Sequence, residues 1–250
     1  MFINRPSPLI FGHRGYSSLR PENTMEAFDL CKQRGVEAIE FDVHMCKTGE
    51  LVIAHDHNLS RLASVDAVIE DLSLEELRSL DVGSHFSKEY QGLRIPLLEE
   101  LFDSYKGYFY YDIELKTNDT FDNGLSQKVW DLIQKYHLQE TSLVSSFNPF
   151  VLKHFRKVSK NQHPMATIYS EDEDVPKFLR RGFGRHISKA TILKPEWQQI
   201  TPKSVKKFKK YPFITWTVDD LELAKKLVNL GVEGLISNRP SELLGIQLSV

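Results

Sequence analysis

Eight short apolar runs, separated by segments with helical spacing, are the feature that most constrains how this chain folds. Parallel strands need a long crossover between them, usually a helix, so this alternation favours a parallel sheet. Eight such units within 250 residues predict an α/β protein with one domain over residues 1–250, a (β/α)₈ or TIM barrel. The runs are "LIFG", "AIEFD", "YYDIE", "SLVSS", "MATIY", "SKATI", "FITWTV" and "EGLIS".

A doubly wound open sheet is the alternative for alternating strands and helices. Nothing favours it, because "GFGRHI" at 182–187 lacks the third glycine of a dinucleotide fingerprint. One predicted helix has Asn148 as a plausible cap and Pro149 at its first position. The predicted helices cover 21–35, 96–105, 124–137, 148–158, 204–211 and 219–231.

A hairpin is predicted after the second strand, because "EFDV" and "LVIAHD" are too close in sequence for a parallel crossover. If Thr48 and Gly49 form a two-residue loop, Asp42 lies opposite His55, and a three-residue loop would shift this pairing by one. Residues 57–95 then form an insertion over the barrel mouth.

Composition excludes several classes of function. The 32 Lys and Arg nearly balance the 34 Asp and Glu, which argues against a global electrostatic grip on nucleic acid or membrane. No stretch approaches the ~20 apolar residues of a membrane span, and Arg5, Pro6 and Pro8 interrupt any N-terminal leader. The two cysteines, Cys31 and Cys46, do not indicate a disulfide framework, so a cytoplasmic location is expected.

Carboxylates end two neighbouring strands of the predicted barrel. Glu40 and Asp42 share a face at the end of the second strand, and Glu114 ends the next barrel strand. Three converging carboxylates suit one hard divalent cation, Mg²⁺ or Ca²⁺. The alternative is a buried ion-pair network with Arg14 and Lys116. Asp112 has the same parity one layer deeper, so we expect it in a structural salt bridge.

Two histidines stand at positions suited to proton transfer. His13 follows the first strand, and His55 lies on the hairpin near Asp42, so the two could serve as acid and base. Arg14 and Lys116 add positive charge matched to a phosphate. The other histidines, His44 among them, have weaker cases.

The motifs together resemble those of glycerophosphodiester phosphodiesterases over nearly the whole chain. They are "HRG" at 13–15, "PENT" at 21–24, "EFD" at 40–42, "AHD" at 54–56, "IPLLEE" at 95–100, "IELK" at 113–116, "SSF" at 145–147 and "TWTV" at 215–218. The resemblance implies His13 and His55 as catalytic residues and Glu40, Asp42 and Glu114 as metal ligands. It also implies Arg14 and Lys116 as phosphate contacts, with Phe147 and Trp216 near the substrate.

The expected activity is metal-dependent hydrolysis of a small glycerophosphodiester to glycerol 3-phosphate and an alcohol. A lysophospholipase D or sphingomyelinase D-like activity on lipids is one alternative, and a catalytically silent phosphate-binding protein is another. The chain departs from the family pattern at "GVEGLISNRP", "TVDD" and "KTGE", and we expect these changes to affect rim contacts more than the reaction. Acid and base roles stay unassigned between His13 and His55.

Overall fold

The parallel strands form a nearly closed barrel in the computed structural model, which describes residues 7–246. The strands are β1 Leu9–His13, β2 Ala38–Met45, β3 Leu51–Ile53, β4 Tyr110–Leu115, β5 Ser142–Ser146, β6 Met165–Tyr169, β7 Ile192–Pro195, β8 Ile214–Thr215 and β9 Gly234–Ser237. The parallel strands follow the order β7-β6-β5-β4-β2-β1-β9-β8, and the parallel bridges Leu193–Phe213 and Glu196–Trp216 bring the two end strands together. The predicted (β/α)₈ barrel is confirmed.

Helices connect the strands and cover the outside of the barrel. Asn148 caps the helix Pro149–Val158 by accepting from the backbone N–H of Phe150, and Pro149 is its first residue, as predicted. No helix of the described part of the chain is both long and apolar enough to cross a bilayer. The helices are α1 Met25–Gln33, α2 Ser60–Ala63, α3 Leu74–Ser79, α4 Leu98–Tyr105, α5 Leu125–Lys135, α6 Pro149–Val158, α7 Gly184–Ser188, α8 Pro202–Lys207 and α9 Leu221–Asn229. Residues 1–6, which include Arg5 and Pro6, lie outside the described range.

The barrel interior has an apolar lower layer and a charged upper layer. Side chains alternate along each strand, so Ile192 and Lys194 share the inner face of β7. The lower layer is a cluster of buried apolar side chains, Leu9, Phe11, Ala38, Leu143, Ala166, Ile192, Ile214 and Ile236. The next inward-facing residue of a strand is two positions later in the sequence and therefore lies nearer the carboxyl end of that strand.

The hairpin register differs by one residue from that of the two-residue loop. Val43 pairs with Ile53, and the N–H of Ala54 donates to the carbonyl of Asp42 at 3.1 Å, so Ala54 rather than His55 lies opposite Asp42. The loop has three residues because Gly49 adopts a left-handed conformation, with φ of 94°, before pairing resumes at Glu50.

Strand β7, which corresponds to the sixth predicted run "SKATI", starts later than that run. Ser188 ends α7, where its hydroxyl donates to the carbonyl of Gly184 and accepts from the N–H of Ala190. Lys189 then takes a left-handed conformation with φ of 59°. The strand therefore begins at Ile192, and the prediction placed it four residues too early. The error concealed Lys194, which the true strand turns into the barrel.

The segment between β3 and α4 contains α2, α3 and two short 3₁₀ turns, Ile69–Asp71 and Lys88–Tyr90. Its apolar side chains pack on one another and on the hairpin in a separate cluster. The buried members of that cluster are Cys46, Val52, Ala54, Leu59, Leu62, Ile69, Leu77, Val82 and Ile95. The interpretation of residues 57–95 as an insertion stays a prediction.

Candidate active site

A cavity of about 900 Å³ opens at the carboxyl ends of the barrel strands. In (β/α)₈ barrels this is the end that carries reactive groups. The structure brings every residue predicted for the site to this cavity, while their individual roles stay predictions. Its lining includes His13, Arg14, Glu40, Asp42, His55, Glu114, Lys116, Phe147 and Trp216.

Three buried carboxylates converge at the base of the cavity. Asp42 and Glu114 are register partners on β2 and β4, and Glu40 lies two residues earlier on the same face of β2. One oxygen from each of the three lies within 4.8 Å of the others. Clustered oxygen donors without cysteine or histidine fit a hard divalent cation.

Two cations lie beside these carboxylates. Lys116 Nζ is 3.2 Å from Glu114 Oε1 and 3.5 Å from Asp42 Oδ1. Arg14 Nε is 3.6 Å from Asp42 Oδ2. Burial alone would raise the pKa of Asp42, but Lys116, His55 and Arg14 together hold it well below its usual range. Asp42 is therefore a carboxylate at neutral pH.

The residues of "PENT" organise the cavity wall. Glu22 accepts a hydrogen bond from Arg14 Nη1 at 2.8 Å, and Asn23 Nδ2 donates to Asp42 Oδ2 at 2.9 Å. Thr24 caps α1 by accepting from a backbone N–H. The motif thus orients one predicted phosphate contact and one predicted metal ligand, a role that its position as a helix start did not reveal.

Lys194 was missed by the sequence analysis and lies under the carboxylates. It is 2% exposed, and its Nζ is 2.9 Å from Asp112 Oδ2 and 3.2 Å from Ser145 Oγ. The same Nζ lies 3.5 Å from Glu40 and 3.8 Å from Glu114. Asp112 therefore forms the structural salt bridge that its parity suggested, and Lys194 is the partner.

The charge balance of this cluster favours one more cation. Among residues 7–246, the four carboxylates Glu40, Asp42, Asp112 and Glu114 face three cations, Arg14, Lys116 and Lys194, and Arg14 is shared with a further carboxylate, Glu22. Burial is the main cause that raises the pKa of Glu40 to about 8; Lys194 opposes the rise, and the neighbouring carboxylates add to it. Glu40 thus holds a proton at neutral pH where a bound cation would otherwise supply the balancing charge.

His13 is held by a chain of polar groups from the last two barrel strands. Its Nδ1 lies 2.7 Å from Asn238 Oδ1. Asn238 in turn donates from its side-chain amide to Asp219 at 2.8 Å and from its backbone at 2.7 Å. Because the amide nitrogen faces Asp219, Oδ1 faces the ring and His13 Nδ1 is the donor. Burial and, less strongly, Arg14 lower the pKa of His13 to about 4, so the ring is neutral at pH 7.

Asn238 belongs to "SNRP" and Asp219 to "TVDD", two departures that we expected to affect the rim. The structure connects them to His13 as well, because Asn238 contacts the ring and Asp219 holds Asn238. A polar residue directly after a barrel strand is the sequence signal for Asn238, which follows Ser237 at the end of β9.

His55 has a different partner. Its Nδ1 lies 2.6 Å from the Asp56 carboxylate, which also accepts from Arg61 Nε at 2.6 Å. Arg61, on α2, further binds Glu22. Although His55 is not the register partner of Asp42, the chain turns after β3 so that its side chain still lines the cavity.

Two aromatic side chains form one wall of the cavity. Phe147 and Trp216 pack edge to face, with ring centroids 5.7 Å apart. The indole N–H of Trp216 donates to the carbonyl of Lys194 at 3.1 Å, which fixes the ring next to the charged base. A substrate in the cavity would thus meet charge below and aromatic surface beside it.

Comparisons with known proteins agree on one family. The profile of the Glycerophosphoryl diester phosphodiesterase family matches residues 13–242. Glycerophosphodiester phosphodiesterases from Caldanaerobacter subterraneus and Bacillus altitudinis are 31% and 30% identical, each covering 95% of this chain and 97% of the relative. The structure of an Oleispira antarctica phosphodiesterase in complex with the product sn-glycerol-3-phosphate aligns with a TM-score of 0.83 at 29% identity over 95% of both chains.

Proposed function

The chain belongs to the glycerophosphoryl diester phosphodiesterase family, and we propose that it hydrolyses glycerophosphodiesters to glycerol 3-phosphate and an alcohol in a metal-dependent reaction. The observation that carries the proposal is the cavity itself, where three carboxylates, two flanking cations and two histidines converge. The related Oleispira antarctica enzyme holds sn-glycerol-3-phosphate as its product, which supports the same class of substrate here.

Glu40, Asp42 and Glu114 would hold the divalent cation, Mg²⁺ or Ca²⁺. When bound, the ion supplies positive charge that stabilises the phosphoryl group. Arg14 and Lys116 lie on either side of Asp42 and would bind the remaining phosphate oxygens.

His13 is our candidate for the general base and His55 for the general acid. Both rings have Nδ1 engaged, which leaves Nε2 of each to exchange protons with the substrate. His13 Nδ1 is paired with the neutral amide of Asn238, which suits a proton acceptor, whereas His55 Nδ1 is paired with the Asp56 carboxylate, the arrangement of a histidine that donates.

Proton transfer alone is too weak for this chemistry. Two histidines contribute roughly 10⁴ to 10⁸ in rate if their effects multiply. Uncatalysed phosphate-ester hydrolysis is among the slowest reactions known, so most of the remaining stabilisation has to come from charge. Arg14 and Lys116, held beside the carboxylates in a largely buried site, are placed to provide part of it.

The test is release of glycerol 3-phosphate from several glycerophosphodiesters, with and without a chelator. We expect chelator-sensitive turnover in the wild type, loss in His13→Ala, and wild-type rates in a control variant of the exposed His85, His85→Ala. An absence of chelator-sensitive turnover on every substrate would refute the proposal. A cytoplasmic location is part of the proposal and rests on the sequence alone.

A lipid substrate is the second candidate, and one observation favours it. Apolar side chains, Phe150, Val175, Phe178 and Leu179, line the outer part of the cavity, and Phe178 is 57% exposed. Turnover of lysophosphatidylcholine can be compared with that of glycerophosphocholine in the wild type and in Phe178→Ser. The lipid activity would be supported if the wild type turned over lysophosphatidylcholine faster than glycerophosphocholine and if this ratio were smaller in Phe178→Ser.

A further inference from the structure

Three side chains outside the catalytic cluster converge at the outer end of β2. His44 lies on β2 and is fully buried, His57 follows β3, and Glu70 lies in the 3₁₀ turn Ile69–Asp71. Nδ1 of His44 and Nδ1 of His57 lie 2.9 Å and 2.7 Å from the same oxygen, Oε1 of Glu70. The proposed reaction uses none of these groups.

The hydrogen bonds around His44 call for a cation at this point. Its Nε2 lies 3.3 Å from the backbone carbonyl of His55, while its Nδ1 and that of His57 turn towards one carboxylate oxygen, Glu70 Oε1. Two ring nitrogens and one carboxylate oxygen therefore converge on a single point. One cation held between these three atoms would use all of them as ligands. The other Glu70 oxygen is buried without a hydrogen-bond partner among residues 7–246.

The donor set indicates which cation. Two imidazoles and one carboxylate are the ligands of zinc sites that keep a position open for solvent. Imidazole nitrogen suits Zn²⁺ and related transition metals, whereas Mg²⁺ and Ca²⁺ prefer oxygen, so this cluster differs in selectivity from the carboxylate cluster. A ligating histidine also usually donates its other N–H to a carbonyl or carboxylate, as His44 does to His55.

The geometry needs only a small adjustment. Tetrahedral zinc with ligands at about 2.0–2.1 Å holds its donor atoms roughly 3.3 Å apart. The two nitrogen–Glu70 separations of 2.9 and 2.7 Å are about half an ångström shorter, and all three donor atoms lie within 4.8 Å of one another. The side chains of His57 and Glu70 are 29% and 33% exposed, so they have room to open and solvent can reach them.

We propose that His44, His57 and Glu70 bind a zinc-class transition metal ion at a second site, which ties the segment after β3 to β2. His44 lies two residues beyond Asp42, about 6.6 Å along the strand. The two donor sets share no residue, although His57 also lines the active-site cavity. The ion also supports His55, whose carbonyl accepts from His44.

Zinc binding to the metal-free protein tests the site directly. Zn²⁺ is titrated against a competing chelator in a Glu114→Gln background, which disables the carboxylate cluster, and Co²⁺ absorbance reports the coordination. We expect one ion per chain, and more than about 100-fold weaker binding in Glu70→Gln and His57→Ala, since even outer-shell partners of a metal ligand are worth 10–100-fold. His85→Ala, at an exposed histidine, should bind like its parent.

The proposal would be overturned if Zn²⁺ did not bind, or if it bound the parent, Glu70→Gln and His57→Ala with equal affinity. The group between the two rings and Glu70 would then be a proton. Zinc-edge anomalous scattering from wild-type crystals grown with Zn²⁺ gives the same decision without any substitution. Neither readout requires turnover, so failure of the phosphodiesterase proposal and failure of this one are separable.

Discussion

Replacing Lys194 by methionine should destabilise the protein strongly at neutral pH. The substitution removes the cation 2.9 Å from Asp112, which is fully buried and keeps Ser145 as its remaining hydrogen-bond partner among the described residues. Breaking a buried ion pair by removing one partner costs about 3–5 kcal/mol, because the other charge stays buried. Asp112→Asn should cost less, since Lys194 keeps Glu40 and Glu114 within 3.8 Å.

Urea unfolding of the metal-free protein measures this cost. With a slope of about 3 kcal/mol/M, the Lys194→Met midpoint should fall by about 1–1.7 M. The double variant Asp112→Asn/Lys194→Met should recover most of the loss, because the buried Asp112 charge is removed together with its cation. Lys225→Met is the matched control, since Lys225 pairs with Glu222 at the surface and is 50% exposed. A Lys194→Met variant within about 1 kcal/mol of wild type, or a double variant no more stable than it, would refute the reasoning.

Three further outcomes concern pH. Metal binding has to displace the proton that Glu40 holds with a pKa of about 8, so Mg²⁺ affinity should rise as pH rises towards 8 and then level off. Calorimetry in buffers of different ionisation enthalpy measures the proton that is released. The exchange Asp219→Asn/Asn238→Asp places a carboxylate on His13 Nδ1, which should raise its pKa from about 4 and move the acid limb of kcat/KM to higher pH; an unmoved limb would contradict the base role. Burial lowers the pKa of His163 to about 4 from 6.5, so between these values the unfolded chain binds the proton and the native protein does not. Stability should therefore fall by about 3 kcal/mol as pH falls through this window, and His163→Leu should lose that part of the pH dependence in urea unfolding.

Short-range pattern was enough to predict most of the barrel and the carboxylate cluster. The alternation of Asp112, Glu114 and Lys116 places them on one face whatever the neighbouring strands are, and that face is the interior. His55 was placed by a hairpin register that proved to be one residue off. It still reaches the cavity because residues beyond β3 are no longer held in the ladder.

What the sequence could not supply was pairing over long distances. Lys194 contacts Asp112 only because β4, β5, β6 and β7 are adjacent in the closed barrel, and a strand start misplaced by four residues hid the side chain. Asn238 and Asp219 were equally hard to connect to His13. A single lysine inside the apolar run "ILKP" was the available signal, since an isolated charge on a buried strand needs a partner.

The position of β1 between β2 and β9 has a consequence for biosynthesis. The ring partner of His13, Asn238, is synthesised 225 residues after it. At typical elongation rates of 5–20 residues per second, roughly 10–45 s separate the two on the ribosome. A nascent chain that stops before β9 lacks both a neighbour for β1 and the group that orients His13. The polar chain that holds His13 is thus complete only once β9 and Asn238 have emerged.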